Sequence, residues 1–429
     1  MQTTRPLLFP LLLVVVGIIT FKLAFDFILN GKDVKKQFHE LRWEPREVLF
    51  TVIDSALRDK TAIPALVAQR QDVGLMSPNI KSTDSLFDLQ KKVLIRTRDH
   101  VAAMSNSEVE TFAVKSIRLD PAFSFRSLPE IGDNDSNYAY PLKVIYADSA
   151  LPTKTVSHNI FLRVKNMDSD QFMLKYPNFG FWALLLVIQV ILYVLLILFL
   201  LTKLFTPMNN FPLKWKVIYV GLIVLVCIAF YIWLLSSNDD TVIVKPVLFM
   251  RSMNSVFDVV NVLGYITAAL CLAGMMFSSS AAASIGKSTD ITAHRDELVN
   301  INTSFKTYFL IAALTMTLAV ITSGQFYTAL NTLDLVKAYN ANIGHDYFRI
   351  ELIYFYGILH TFILMIFFIP TQLRLNDINQ KMLVAYPSDG AQLKVLEPVP
   401  MVKKVMDLLV MGAPLLAAFV KSLLDIVAG

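Results

Sequence analysis

Cysteine is nearly absent. The chain of 429 residues holds two, Cys227 and Cys271, and both fall inside long apolar runs. No polar segment carries a disulfide or a thiolate metal site, and both thiols read as small hydrophobes. Charge is scarce too, at 17% of residues, against roughly 25% in a soluble globular domain. The 15 glycines and 18 prolines follow no period, which excludes a collagen-like chain, and 55% hydrophobic residues exclude a disordered one. No basic run is interleaved with aromatics, so the net charge of +5 does not mark a nucleic-acid binder. There is no Walker loop, no GxGxxG in a βαβ setting, no HExxH and no CxxC. No cofactor and no metal are expected.

What is present is apolar sequence, with mean hydropathy +0.53. A crossing helix needs about 20 mostly apolar residues to pass ~30 Å of hydrocarbon. Six stretches qualify: 7–29, 180–201, 217–235, 259–277, 308–330 and 352–370. The expected fold is an α-helical polytopic membrane protein with six transmembrane helices and an α+β extracytoplasmic domain between helices 1 and 2. Its parts are an anchor (1–30), the inserted domain (31–178), a five-helix bundle (179–370), a cytoplasmic linker (371–400) and an amphipathic C-terminal helix (401–429).

Orientation follows from Lys and Arg in the short loops. One set of connectors holds Lys203, Lys214, Lys216, Lys287, Arg295 and Lys306, and the tail adds Arg374, Lys381, Lys394, Lys403 and Lys404. The alternate loops hold only Lys245, Arg251, Lys337 and Arg349. Six crossings then leave both termini in the cytoplasm and residues 31–178 outside, in a plasma membrane read as a bacterial inner membrane. Within 31–178, helical periodicity marks 47–58 and 83–104. Short β-branched or aromatic runs mark strands at 112–119, 140–146 and 159–164.

Ionisable and polar residues inside spans are the functional candidates. Lys22 and Asp26 are four apart and share a helix face. They read as a snorkelling anchor or as an inter-helix contact. Span five is rich in hydroxyl and amide groups, among them Thr322, Ser323 and Gln325, which line a path or join helices. Span six carries Glu351 at its mouth, then Tyr356 and His360 as an i,i+4 pair. His360 is a proton carrier, a gate or an inter-helix hydrogen bond. The nearest further metal-ligand types, His345 and Asp346, lie in the loop above it. In span four, Gly264, Ala268, Ala269, Ala273 and Gly274 form a small-residue pattern that predicts close packing against span five.

At the C-terminus, the uninterrupted apolar run Leu408–Val420 is too short to cross, and Pro414 should kink it. An amphipathic helix on the inner surface is the expectation. The functional reading is a non-enzymatic envelope sensor or assembly component. Its partners are the bilayer and further copies of itself or other membrane proteins, with no nucleic acid. The first rival is an oligomeric channel or transporter lined by spans five and six. The second is an intramembrane enzyme with a Ser323–His360 dyad. Its six-helix count resembles rhomboid proteases, but the GxSx motif, a second histidine in span two and a tryptophan–arginine pair in the first loop are all missing.

Overall fold

The computed structural model describes residues 8–25, 38–41, 46–47, 49–50, 53–54, 57, 83–109, 118–119, 139–147, 155–167, 169–205, 217–218, 220–225, 229, 251–287, 294–349, 351–385 and 401–428. The chain opens with helix α1 (Leu8–Phe25). Strand β1 (Phe38–Leu41), helix α2 (Thr83–Ala103) and strands β2 (Arg118–Leu119), β3 (Ala139–Ala147) and β4 (Thr155–Met167) follow. A short helix α3 (Ser169–Lys175) leads into α4 (Pro177–Phe205). The described elements that follow are helices: α5 (Arg251–Ile285), α6 (Arg295–Asn331), α7 (Asp334–Ile343), α8 (Glu351–Ala385), α9 (Met401–Met411) and α10 (Ala413–Ala428).

Among the described residues, four helical segments, Pro177–Leu204, Asp258–Ile285, Arg295–Asn331 and Glu351–Val384, are long and apolar enough to cross a membrane. This is the make-up of a helical membrane protein. They match the second, fourth, fifth and sixth expected spans. Of the first, α1 is a shorter apolar helix, and Asp26 lies outside the described residues. Of the third, residues 217–218, 220–225 and 229 are helical and the rest lies outside them.

The helices overrun the apolar stretches that announced them. Helix α6 starts at Arg295, and α8 runs through Pro370 to Ala385. The expected linker from 371 is therefore helix up to Ala385. Proline at 370 removes one N–H and favours a kink, but the helix continues past it to Ala385.

The strands form one antiparallel sheet in the order β1-β4-β3-β2. Strands β3 and β4 pair from Ala139↔Arg163 to Ala147↔Thr155, and β1 adds to the far side of β4 with Phe38↔Met167. Only Arg118 and Leu119 of the expected 112–119 strand are described, pairing with Ile145 and Val144.

Helix α6 is the centre of the bundle, packing against α4, α5, α8 and α10. We call the end where α4 and α8 begin and α6 finishes the proximal end, and the other the distal end. One apolar core runs through the proximal end. It joins Leu49, Ile53, Leu94, Val101 and Met104 to Phe172, Phe179 and Trp182, and onward to Phe326 and Phe348. A second fills the distal end with Leu200, Met275, Phe305, Phe309, Phe368 and Ile378.

Candidate functional site

The proximal core is carried by aromatic rings. Phe172 of α3 contacts Tyr176 and Phe179, Phe179 contacts Trp182, and Trp182 lies 4.6 Å from Phe326 of α6. The chain continues through Tyr327 to Phe348, then Tyr347 and Tyr339. Aromatic pairs contribute beyond their buried area when rings sit 4.5–7 Å apart, by about 0.5–1.5 kcal/mol. The cluster thus fixes α3, α4, α6 and the α7–α8 junction as one unit.

Polar groups complete the same end. Gln325 donates from Nε2 to the Asn178 carbonyl at 3.4 Å and lies 3.5 Å from Asn178 Oδ1. Asn331 donates to the Phe348 carbonyl at 2.9 Å. Asn340 donates to Asn331 Oδ1 and Asp346 Oδ1 and accepts from the Tyr347 amide at 2.8 Å. Gly344 closes α7 at φ +76°, a conformation that favours glycine. Outside the bundle core, Lys175 pairs with Asp334 at 2.7 Å and joins α3 to α7. Strand β2 also contacts α7, so the sheet meets the bundle here.

The candidates from the sequence fall into three groups. Gln325 belongs to this proximal cluster, and the Tyr356 hydroxyl shares a hydrogen bond with Tyr327 beside it. Lys22 faces outward on α1 and Glu351 is exposed at the start of α8. The third group lies deeper. Thr322 donates to its own helix at the Leu318 carbonyl, 2.9 Å away, and Ser323 is half-buried. His360 has its Nδ1 buried with no partner among the described residues, and no hydrogen bond there joins it to Ser323.

Several hydroxyls of the long helices, among them Thr315, Thr322 and Thr328 of span five, are satisfied locally. Thr267, Ser278, Thr303, Thr307, Thr315 and Thr328 each donate to the carbonyl four residues earlier, as Thr322 does. Back-bonded hydroxyls need no water and leave the helix surface free to pack. Thr317 Oγ1 and Thr361 Oγ1 are exceptions, buried without partners among the described residues.

Three contacts escaped the sequence reading. Gln189 donates to Tyr193 Oη at 3.1 Å, and that hydroxyl reaches the Thr315 carbonyl at 3.4 Å, joining α4 to α6. Asn302 and Asn379 pair across α6 and α8 near the distal end. The rings of Tyr193 and Tyr308 lie over Gly264 and Gly274 of α5. The small-residue pattern of α5 was the available signal for the last of these. The described residues hold no group of three or more His, Cys, Asp or Glu placed to bind a metal. No protein-family model, curated protein or solved structure matches the chain.

Proposed function

We propose that this is a non-enzymatic multi-pass membrane protein that couples an extracytoplasmic α+β docking or sensing domain to its helical bundle. The N-terminus faces the cytoplasm of a bacterial cell and residues 31–178 face outward, with the stretch 217–235 completing six crossings before residue 386. One observation carries this reading. The core of the α2 region, the aromatic rings of α3 and α4, and the α6–α8 end of the bundle form a single buried cluster. A spacer domain on a flexible tether would bury its core separately. Here a displacement at Leu94 or Val101 is transmitted by packed rings, because close-packed interiors pass strain on rather than absorb it.

The test is Phe172→Ala followed by hydrogen exchange in the full chain. Exchange should rise together in residues 94–104 and 334–343. A rise confined to one of these segments would overturn the coupling. Reporters fused at Asn134 and after Gly390 should be active outside and in the cytoplasm, respectively. A channel lined by α6 and α8 is the second reading, favoured by the buried, unpartnered atoms of Thr317, His360 and Thr361. Ion flux in proteoliposomes would decide for it.

A further inference from the structure

Helices α9 and α10 act as one rod, because the backbone ladder continues across their junction. The Gly412 amide donates to the Leu408 carbonyl and the Leu416 amide to the Gly412 carbonyl, each at 2.9 Å. Pro414 therefore stands within a nearly continuous helix from Met401 to Ala428, about 42 Å long at the α-helical rise. That exceeds the ~30 Å hydrocarbon core, which the bare 408–420 run did not.

The rod packs against both α6 and α8. Its contact with α8 is close and antiparallel. A Cβ on Gly357 would lie 3.0 Å from the Pro414 carbonyl oxygen and 3.1 Å from Leu415 Cα, so only glycine lets the two backbones approach this far. One turn nearer the proximal end, Tyr354 meets Phe419 with ring centroids 5.2 Å apart. At the other end, Met411 is buried in the distal core that also holds Leu364 and Phe368.

Rising residue numbers along the rod thus run from the distal towards the proximal end. Carrying this register on places Lys404 level with Phe368 and Lys421 level with Glu351. Between them Asp407 is the one charged residue, and residues 408–420 carry no charge. The rod's outward positions are large and apolar: Met406, Leu408, Leu409, Leu416, Phe419 and Val420 are 46–61% exposed. A helix lying on the membrane surface turns a polar face to water, and this stretch has none to turn.

We infer that α9–α10 is a further membrane crossing, flanked by Lys403/Lys404 and Lys421, and that it carries the C-terminus to the same side as residues 31–178. The cytoplasmic C-terminus expected from six spans gives way to one on the opposite face. Cations at both ends fit, since lysine stems can lie along apolar surface while the ammonium reaches the interface.

Single cysteines introduced at Gly429, Ser388 and Asn134 of the full chain test this in sealed, oriented vesicles with a membrane-impermeant maleimide. Wild-type protein supplies the background from Cys227 and Cys271. The comparison of Gly429→Cys with Ser388→Cys decides the inference, and labelling from opposite sides is expected. Labelling from the same side, or labelling of Gly429→Cys only after detergent, overturns it. The comparison of Asn134→Cys with Ser388→Cys tests the crossings between them separately, so failure of one arm is not failure of the other.

Discussion

Asn302 of α6 and Asn379 of α8 exchange two hydrogen bonds, each Nδ2 donating to the other's Oδ1 at 2.9 Å. Both side chains are buried, and Asn302 also donates to the Leu298 carbonyl at 2.8 Å. With the Tyr327–Tyr356 hydrogen bond nearer the proximal end, the pair fixes the register of two helices that also meet through apolar side chains.

Removing one partner strands a buried amide, whereas removing both leaves an apolar contact. Asn302→Leu or Asn379→Leu alone should each lower stability by about 1–2 kcal/mol in detergent unfolding. The double variant should lose less than the sum, with a coupling of roughly 0.6–1.7 kcal/mol. Strict additivity would show that the two amides do not depend on each other.

Gly274 of α5 sits under the Tyr308 ring so closely that a Cβ would stand 2.6 Å from three ring carbons. Gly274→Ala must push the ring aside in a packed core, at about 1–3 kcal/mol. Tyr308→Leu should recover part of that loss in the double variant. At Gly264 the nearest atom, Tyr193 Cε2, is 3.1 Å away, so Gly264→Ala should cost less than Gly274→Ala. The reverse ranking in melting temperatures would contradict the geometry.

Lys175 and Asp334 pair at 2.7 Å with side chains 41% and 37% exposed. Exposed pairs contribute little, about 0.2–1 kcal/mol, and are screened by salt. Lys175→Ala should therefore lower stability slightly at low ionic strength and not measurably at high. A large, salt-independent loss would mean that the lysine stem over the Tyr176 ring, 5.0 Å from its ammonium, matters more than the ion pair.

Hydropathy made the apolar middle of the long helices legible, since bilayer thickness imposes it. It could not show where α6 and α8 end. Arg295, Asp296, Glu297 and Asn302 lie on the helix beyond any apolar window, so hydropathy alone puts Asn302 in a connector. Its partner stands 77 residues away, and nothing local to either asparagine announces the other. The small residues of α5 marked a packing surface, but not which rings fill it. The C-terminal segment poses a related question, because its helix extends past the apolar run at both ends. A window over 408–420 registers apolar length, whereas the rod's identity depends on backbone continuity through Gly412 and on the fit of Gly357. Lys22 and Glu351 stand out in the sequence by charge and spacing, yet Lys22 faces outward on α1 and Glu351 is exposed at the start of α8.

His360 is the candidate for which packing and polarity give opposite expectations. An inter-helix hydrogen bond would make His360→Leu costly by about 0.6–1.7 kcal/mol. Its buried Nδ1 finds no partner among the described residues, and neither does Thr361 Oγ1 next to it. An unpartnered buried polar atom carries a desolvation penalty that an apolar group of similar size removes. His360→Leu should then leave detergent stability unchanged or raise it. His360→Ala should lower it, because the lost volume leaves a cavity that the helices only partly close. If Leu is tolerated in stability but abolishes a flux in proteoliposomes, the histidine is retained for a path, and the channel reading gains over the coupling one. If Leu costs as much as Ala, a hydrogen bond formed in the bilayer is what holds the ring.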